Sequence, residues 1–232
     1  MKALSFLLTT ALLIAANQSY SQNDDNWESK NYDIGNFHKI DMEGGFNVYL
    51  IQGETSSVEI RATDWDVFED IEVKTDNSTL KLEVERKPFD FERVNLYITF
   101  RELEEISIEG GVKMKTRGYL DLRDFYIHVE GGAKIELDLK AENVKVVGEG
   151  GVIFELQGVA ESLNVRLSGA GHVDADELKT KDVSFRIEGV GTGSVYATET
   201  LNAKIEGVGK LKYRGNPEVR KNIEGLGSVT RD

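Results

Sequence analysis

Seven segments of this chain share one template. ISIEGGV, IHVEGGA, VKVVGEGG, VRLSGAGHV, FRIEGVG, AKIEGVG and NIEGLG each read apolar-x-apolar-x-Gly, with a further glycine one or two positions on. The first glycines are Gly110, Gly131, Gly148, Gly169, Gly189, Gly207 and Gly225, spaced 17 to 21 residues apart. A regular step of about 19 residues is the signature of a solenoid, in which one short unit cannot bury its apolar face alone and must stack on its neighbours.

Within each copy the alternation is that of a strand, whose successive side chains point to opposite faces. One parity holds Ile106/Ile108, Ile127/Val129, Val144/Val146, Val165/Leu167, Phe185/Ile187, Ala203/Ile205 and Ile223, all expected to point inward. A second alternating segment follows each glycine pair, among them Val112/Met114, Ile135/Leu137, Val152/Phe154/Leu156 and Val173/Ala175. A looser third segment carries Leu120, Leu122, Val159, Leu178, Leu201 or Val219. No stretch of 10–15 residues has the 3-4 spacing of an amphipathic helix.

Strand, glycine corner, strand and a third side predict an all-β fold: a right-handed parallel β-helix with coils of about 19 residues. Residues 36–105 differ. FNVYLIQ-GETS-SVEIRA and DIEVKT-DNS-TLKLEVE read as hairpins, DWDVFED as a helical turn, and VNLYITF as a further strand. This hairpin-rich half is expected to cap one end of the stack, because an open coil edge invites aggregation.

The ends and the charge place the chain. MKALSFLLTTALLIAANQSYSQ has an early lysine, a short apolar run and small residues at Ser19 and Ser21, the pattern of a cleaved secretory signal over residues 1–21. Residues 22–35 read as a flexible segment and 36–232 as one domain. No later run has the roughly 20 apolar residues a membrane-spanning helix needs. With no cysteine there is neither a disulfide framework nor a lipid-attachment thiol. The formal charge of −13 becomes −14 once Lys2 leaves with the signal, which disfavours nucleic acid as a partner.

FHKIDMEGGFNVYLIQGETSSVEIRA, TLKLEVE, VNLYITFRELEEISIEGG and the later GxG repeats resemble the putative auto-transporter adhesin head GIN domain family, over roughly residues 36–230. The resemblance implies an exported, adhesin-like β-helix at the cell surface. It brings no catalytic motif, and the chain has no recognisable translocating barrel.

The chemistry can be weighed against that frame. GVGTG, from Gly189, looks like a phosphate loop, but such a loop needs a helix N-terminus and TGSVYATETL alternates like a strand. Calcium-binding β-rolls repeat over a period about half as long. Corner glycines, which accept positive φ and close backbone approach, account for every copy.

Before the glycines stand Glu109, Glu130, Glu188, Glu206 and Glu224, with Val147 and Ser168 interrupting the series; EGG also occurs at Glu43 to Gly45. Two residues earlier on the same face are Lys145, Arg166, Arg186 and Lys204. This charge ladder either keeps an exposed face soluble or reads a polar polymer, with Tyr126 and Tyr196 as outward rings able to stack on sugars. His38, His128 and His172 lie far apart in sequence, and no catalytic, metal or cofactor site is expected. The function read here is non-enzymatic surface or envelope interaction with a glycan, matrix or cell-surface protein. A carbohydrate-active β-helix enzyme and a purely structural envelope module are the alternatives. The last coil, IEGLGSVTRD, lacks a cap and is the expected place of any self-association.

Overall fold

The computed structural model describes residues 27–84 and 94–232, so the expected signal segment lies outside the described residues. The fold is all-β. Its strands are β1 (Glu28–Tyr32), β2 (Lys39–Gln52), β3 (Ser57–Ala62), β4 (Ile71–Asp76), β5 (Thr79–Val84), β6 (Val94–Phe100), β7 (Glu105–Thr116), β8 (Leu120–Asp121), β9 (Asp124–Arg214) and β10 (Glu218–Arg231). DWDVFED supplies a single 3-10 turn at Trp65–Glu69, entered at Asp64, whose carboxylate accepts from the Asp66 amide.

The glycine template sets the register of the long parallel part. β7 lies beside β9 with Gly110 opposite Gly131, and β10 lies beside the end of β9 with Gly225 opposite Gly207. Inside β9, close backbone approaches stack Gly150 on Gly131, Gly169 on Gly150, Gly189 on Gly169 and Gly207 on Gly189. β2 continues the column on the other side, Gly44 opposite Gly110, so the isolated EGG near the start belongs to the same stack.

One member of the expected column is corrected. Gly148 is not the corner of the third copy; Gly150 is, at φ +115°, and Gly148 has no positive φ. A side chain at Gly148 would run into Val152, Phe154 and Leu167, so that glycine serves interior packing. The other six, Gly110, Gly131, Gly169, Gly189, Gly207 and Gly225, all have positive φ.

The opening half makes the sheet mixed rather than uniformly parallel. β4 and β5 form the expected hairpin around Asn77 and Ser78, both at positive φ as a tight two-residue turn requires. The other expected hairpin does not form. β6 lies between β2 and β3, parallel to the first and antiparallel to the second, because GETS joins strands whose partners come from elsewhere in the chain. β3 also pairs with β1, so Glu28–Tyr32 form an edge strand where the sequence reads as flexible.

A single apolar cluster runs from Phe37 to Val229 and contains nearly every inward residue expected from parity. Val159 departs from it, 43% exposed, while Ala160 is buried, and Val219 and Ile223 pack against the cluster only partly buried. The alternation of Val152, Phe154 and Leu156 continues unbroken through Gly158 to Ala160, which leaves Val159 on the outward side. Thr180 is the sole buried polar residue among those described, and its hydroxyl donates to the Leu178 carbonyl at 3.1 Å.

Candidate interaction face

Because the repeats stack in register, outward residues of successive copies form columns. The one preceding the corner glycines contains Glu43, Glu109, Glu130, Glu149, Ser168, Glu188, Glu206 and Glu224. The next contains Asp41, Ser107, His128, Val147, Arg166, Arg186, Lys204 and Asn222. A third runs through Tyr126, Lys145, Asn164, Ser184, Asn202 and Arg220.

The shifted corner explains what the sequence misplaces. With Gly150 as the corner, Glu149 enters the acidic column, nearly buried Val147 moves to the second, and Lys145 falls in the third beside Tyr126. There its ammonium sits 4.6 Å from the Tyr126 ring centre, within cation–π range. Tyr126 also stacks on His128 with ring centroids 6.2 Å apart. Burial, followed by the charges of Glu105 and Glu149, pushes the Tyr126 hydroxyl above its ordinary pKa. Tyr196 lies on the strand segment after the corner, next to Arg214, and the structure does not bring it to Tyr126.

The acidic column has two electrostatic halves. Toward β10 it is compensated: Arg166 reaches Glu188 at 3.3 Å, Arg186 pairs with Glu188 and with Glu206 (2.7 Å), and Lys204 pairs with Glu206 at 2.6 Å. Pairing thus runs between copies as well as within each one. Lys204, then Arg186, hold the Glu206 carboxyl below its ordinary range, against the opposing pull of desolvation. Toward β2 the column continues as Glu43, Glu109, Glu130 and Glu149, and the column beside it holds no lysine or arginine: Asp41, Ser107, His128 and Val147.

At the side of this face lies a groove of about 830 Å³, lined by Gln52, Arg101, Glu104, Asp121, Arg123, Asp124, Tyr126, Asn143 and Lys145 among others. Gln52 organises its floor. Its amide donates to the carbonyls of Arg101 (3.2 Å) and Asp121 (2.9 Å), and its oxygen accepts from the Asp121 amide at 2.7 Å. Asp121 pairs with Lys140 at 3.1 Å, and Asp124 accepts from the Asn143 amide at 2.7 Å. Tyr126 and Lys145 belong to both groove and face. Gln52, Arg123 and Asn143 carry no periodic signal in the sequence, since they stand outside the repeated apolar-x-apolar-x-Gly segments.

The three histidines have separate surroundings. His38 lies 3.8 Å from Glu102, Nδ1 of His172 is 2.7 Å from the Thr192 hydroxyl, and His128 faces Glu130 and Glu149. Among the described residues no helix is long and apolar enough to cross a membrane.

A family model described as "Putative auto-transporter adhesin, head GIN domain" matches residues 36–217. A solved structure from Bacteroides fragilis, titled a putative adhesin, is 25% identical with a TM-score of 0.82, covering 89% of this chain and 97% of its own. A putative lipid binding protein from Parabacteroides distasonis is 20% identical with a TM-score of 0.69, covering 90% and 98%. A putative adhesin from Parabacteroides merdae is 18% identical with a TM-score of 0.67, covering 90% and 97%. At those identities the last two share the fold. No curated protein matches the sequence.

Proposed function

Since the chain belongs to the auto-transporter adhesin head GIN domain family, we propose that it is an exported, non-enzymatic surface module that holds polar polymers, glycans above all, against its flat outward face. On this reading the parallel copies wind as a right-handed β-helix, following the usual hand of parallel crossovers. Export to the envelope or beyond rests on the signal-like leader and on the family.

The observation that carries the proposal is the junction at Tyr126. A ring flanked by Lys145, beside the Asn143 and Asn164 amides and a groove of about 830 Å³, combines a stacking surface with convergent hydrogen-bond donors and acceptors. Sugars are recognised through that pairing of an apolar ring face with polar edges. Of the groove carboxylates Glu102, Glu104, Asp121 and Asp124, the last two are each engaged by a neighbouring cation or amide, which favours a holding over an acid–base role for that pair.

The test is a glycan and matrix array probed with the purified protein and with Tyr126→Ala. Binding to a glycan class, reduced at least tenfold by the substitution, is the expected result. A flat array, or binding indifferent to Tyr126, would refute the reading, and turnover of any bound polysaccharide would move the protein to the enzyme alternative.

A further inference from the structure

We propose that His128, Glu130 and Glu149 form a binding site for a divalent transition metal, with Zn²⁺ the expected ion. The sequence points to no such site, because one ligand arrives from the neighbouring repeat and that repeat's corner is displaced by two residues. Glu130 follows His128 by two positions on the same strand face, and Glu149 occupies the adjacent rung of the acidic column. One donor atom from each lies within 4.8 Å of the other two.

The separations fit an ion better than a hydrogen bond. His128 Nε2 is 3.6 Å from Glu130 and 3.5 Å from Glu149, beyond the roughly 2.7–3.2 Å of an N–H···O bond. Nitrogen and oxygen ligands about 2.1 Å from a tetrahedral zinc stand about 3.4 Å from each other. The nitrogen is also shut off from solvent with no hydrogen-bond partner, an arrangement that a buried polar atom rarely tolerates. A metal bond would supply the missing partner.

Electrostatics gives an independent reason. Elsewhere along this column, Glu188 and Glu206 are answered by Arg166, Arg186 and Lys204. Glu130 and Glu149 are adjacent like charges, about 5 Å apart as rungs of a parallel ladder. Their neighbouring column offers an imidazole and the nearly buried Val147 instead of a permanent cation. The nearest lysine in the third column, Lys145, is placed over Tyr126. A divalent ion would offset both carboxylates at once, and the imidazole donor selects zinc-like metals over calcium or magnesium, which take oxygen ligands. Two carboxylates and one imidazole leave a fourth tetrahedral position for water or an outside ligand.

The experiment is calorimetric titration of tag-free, EDTA-treated protein with ZnCl₂ at pH 7.5, alongside CaCl₂ and the variants His128→Ala, Glu149→Gln and, outside the column, Glu218→Gln. One zinc per chain is expected, with affinity lowered at least tenfold by either of the first two changes and unchanged by the third. Circular dichroism of each variant separates loss of ligand from loss of fold, and zinc X-ray absorption of the unmodified protein reads the ligand set without any substitution. A first shell of one imidazole nitrogen and carboxylate oxygens at about 2.0–2.2 Å is expected there. Absence of stoichiometric zinc, zinc binding indifferent to His128, or calcium bound as tightly as zinc would each overturn the proposal.

Discussion

The carbonyl of Gly189 lies against the Cα of Gly207, in the space where any other residue would carry its Cβ. Gly207 is held at φ +131°, a region that L side chains rarely adopt. Gly207→Ala therefore meets both backbone strain of about 1–3 kcal/mol and a clash with the preceding copy. Gly132→Ala is the control, since nothing lies within 4 Å of a Cβ built there. Thermal unfolding should show a large fall in Tm for the first and little change for the second.

Phe154 and Phe185 fill the interior of the third and fifth stacked copies, both nearly inaccessible to solvent. Truncating either to alanine should cost about 3–5 kcal/mol, the range for a large buried ring whose cavity cannot fully collapse. Denaturant unfolding measures it, and a loss below about 1 kcal/mol would mean that neighbouring copies re-pack freely.

Glu206 should titrate at a lower pH than an ordinary glutamate. Its depressed pKa, caused first by the Lys204 hydrogen bond, means its stabilising contribution is present above the unfolded-state value near 4.5. That contribution is lost as pH falls through the lower folded-state value. Carboxyl NMR should place the midpoint below 4.5, and Lys204→Gln should move it upward. Since the carboxylate is solvent-screened, Glu206→Gln should change stability little at neutral pH, and less still in high salt.

β10 has one strand neighbour, β9, and among the described residues no strand covers its other edge. Leu226 within it is 77% exposed, and Val208 and Val190 extend the apolar strip behind it. We propose that any pairing of two copies uses this edge. Sedimentation velocity should then show concentration-dependent association that Leu226→Lys weakens; a monomer at every concentration would exclude it.

Much of the molecule was legible in the sequence because side-chain alternation is local. Ile187 inward and Glu188 outward follow from parity alone. The failures lie where something non-local decides. VKVVGEGG offers Gly148 and Gly150 as corners, and stacking against Gly131 selects the second; the EGG tripeptide shared by Glu109, Glu130 and Glu149 was the overlooked signal. FNVYLIQ and SVEIRA have hairpin spacing, yet β6 separates them, because the apolar faces of β2 and β3 are satisfied as well by a strand from further along. The meeting of His128 with Glu149 could not be read until the corner was assigned.

The order in which β2 acquires its partners bears on how the chain reaches this state. Its three neighbours, β5, β6 and β7, all lie later in the sequence, with Lys39 opposite Glu105. Stacked copies within β9 and β10, by contrast, meet across about 20 residues. Closing the longer loop costs only about 1 kcal/mol more in entropy, but contacts distant in sequence form slowly. A chain delivered amino end first would expose β2 with its edges unpaired until residues 79–116 had followed it. The first strand of the stack would thus wait longer for its partners than any later copy does, and that interval is when this protein is most exposed to misassembly.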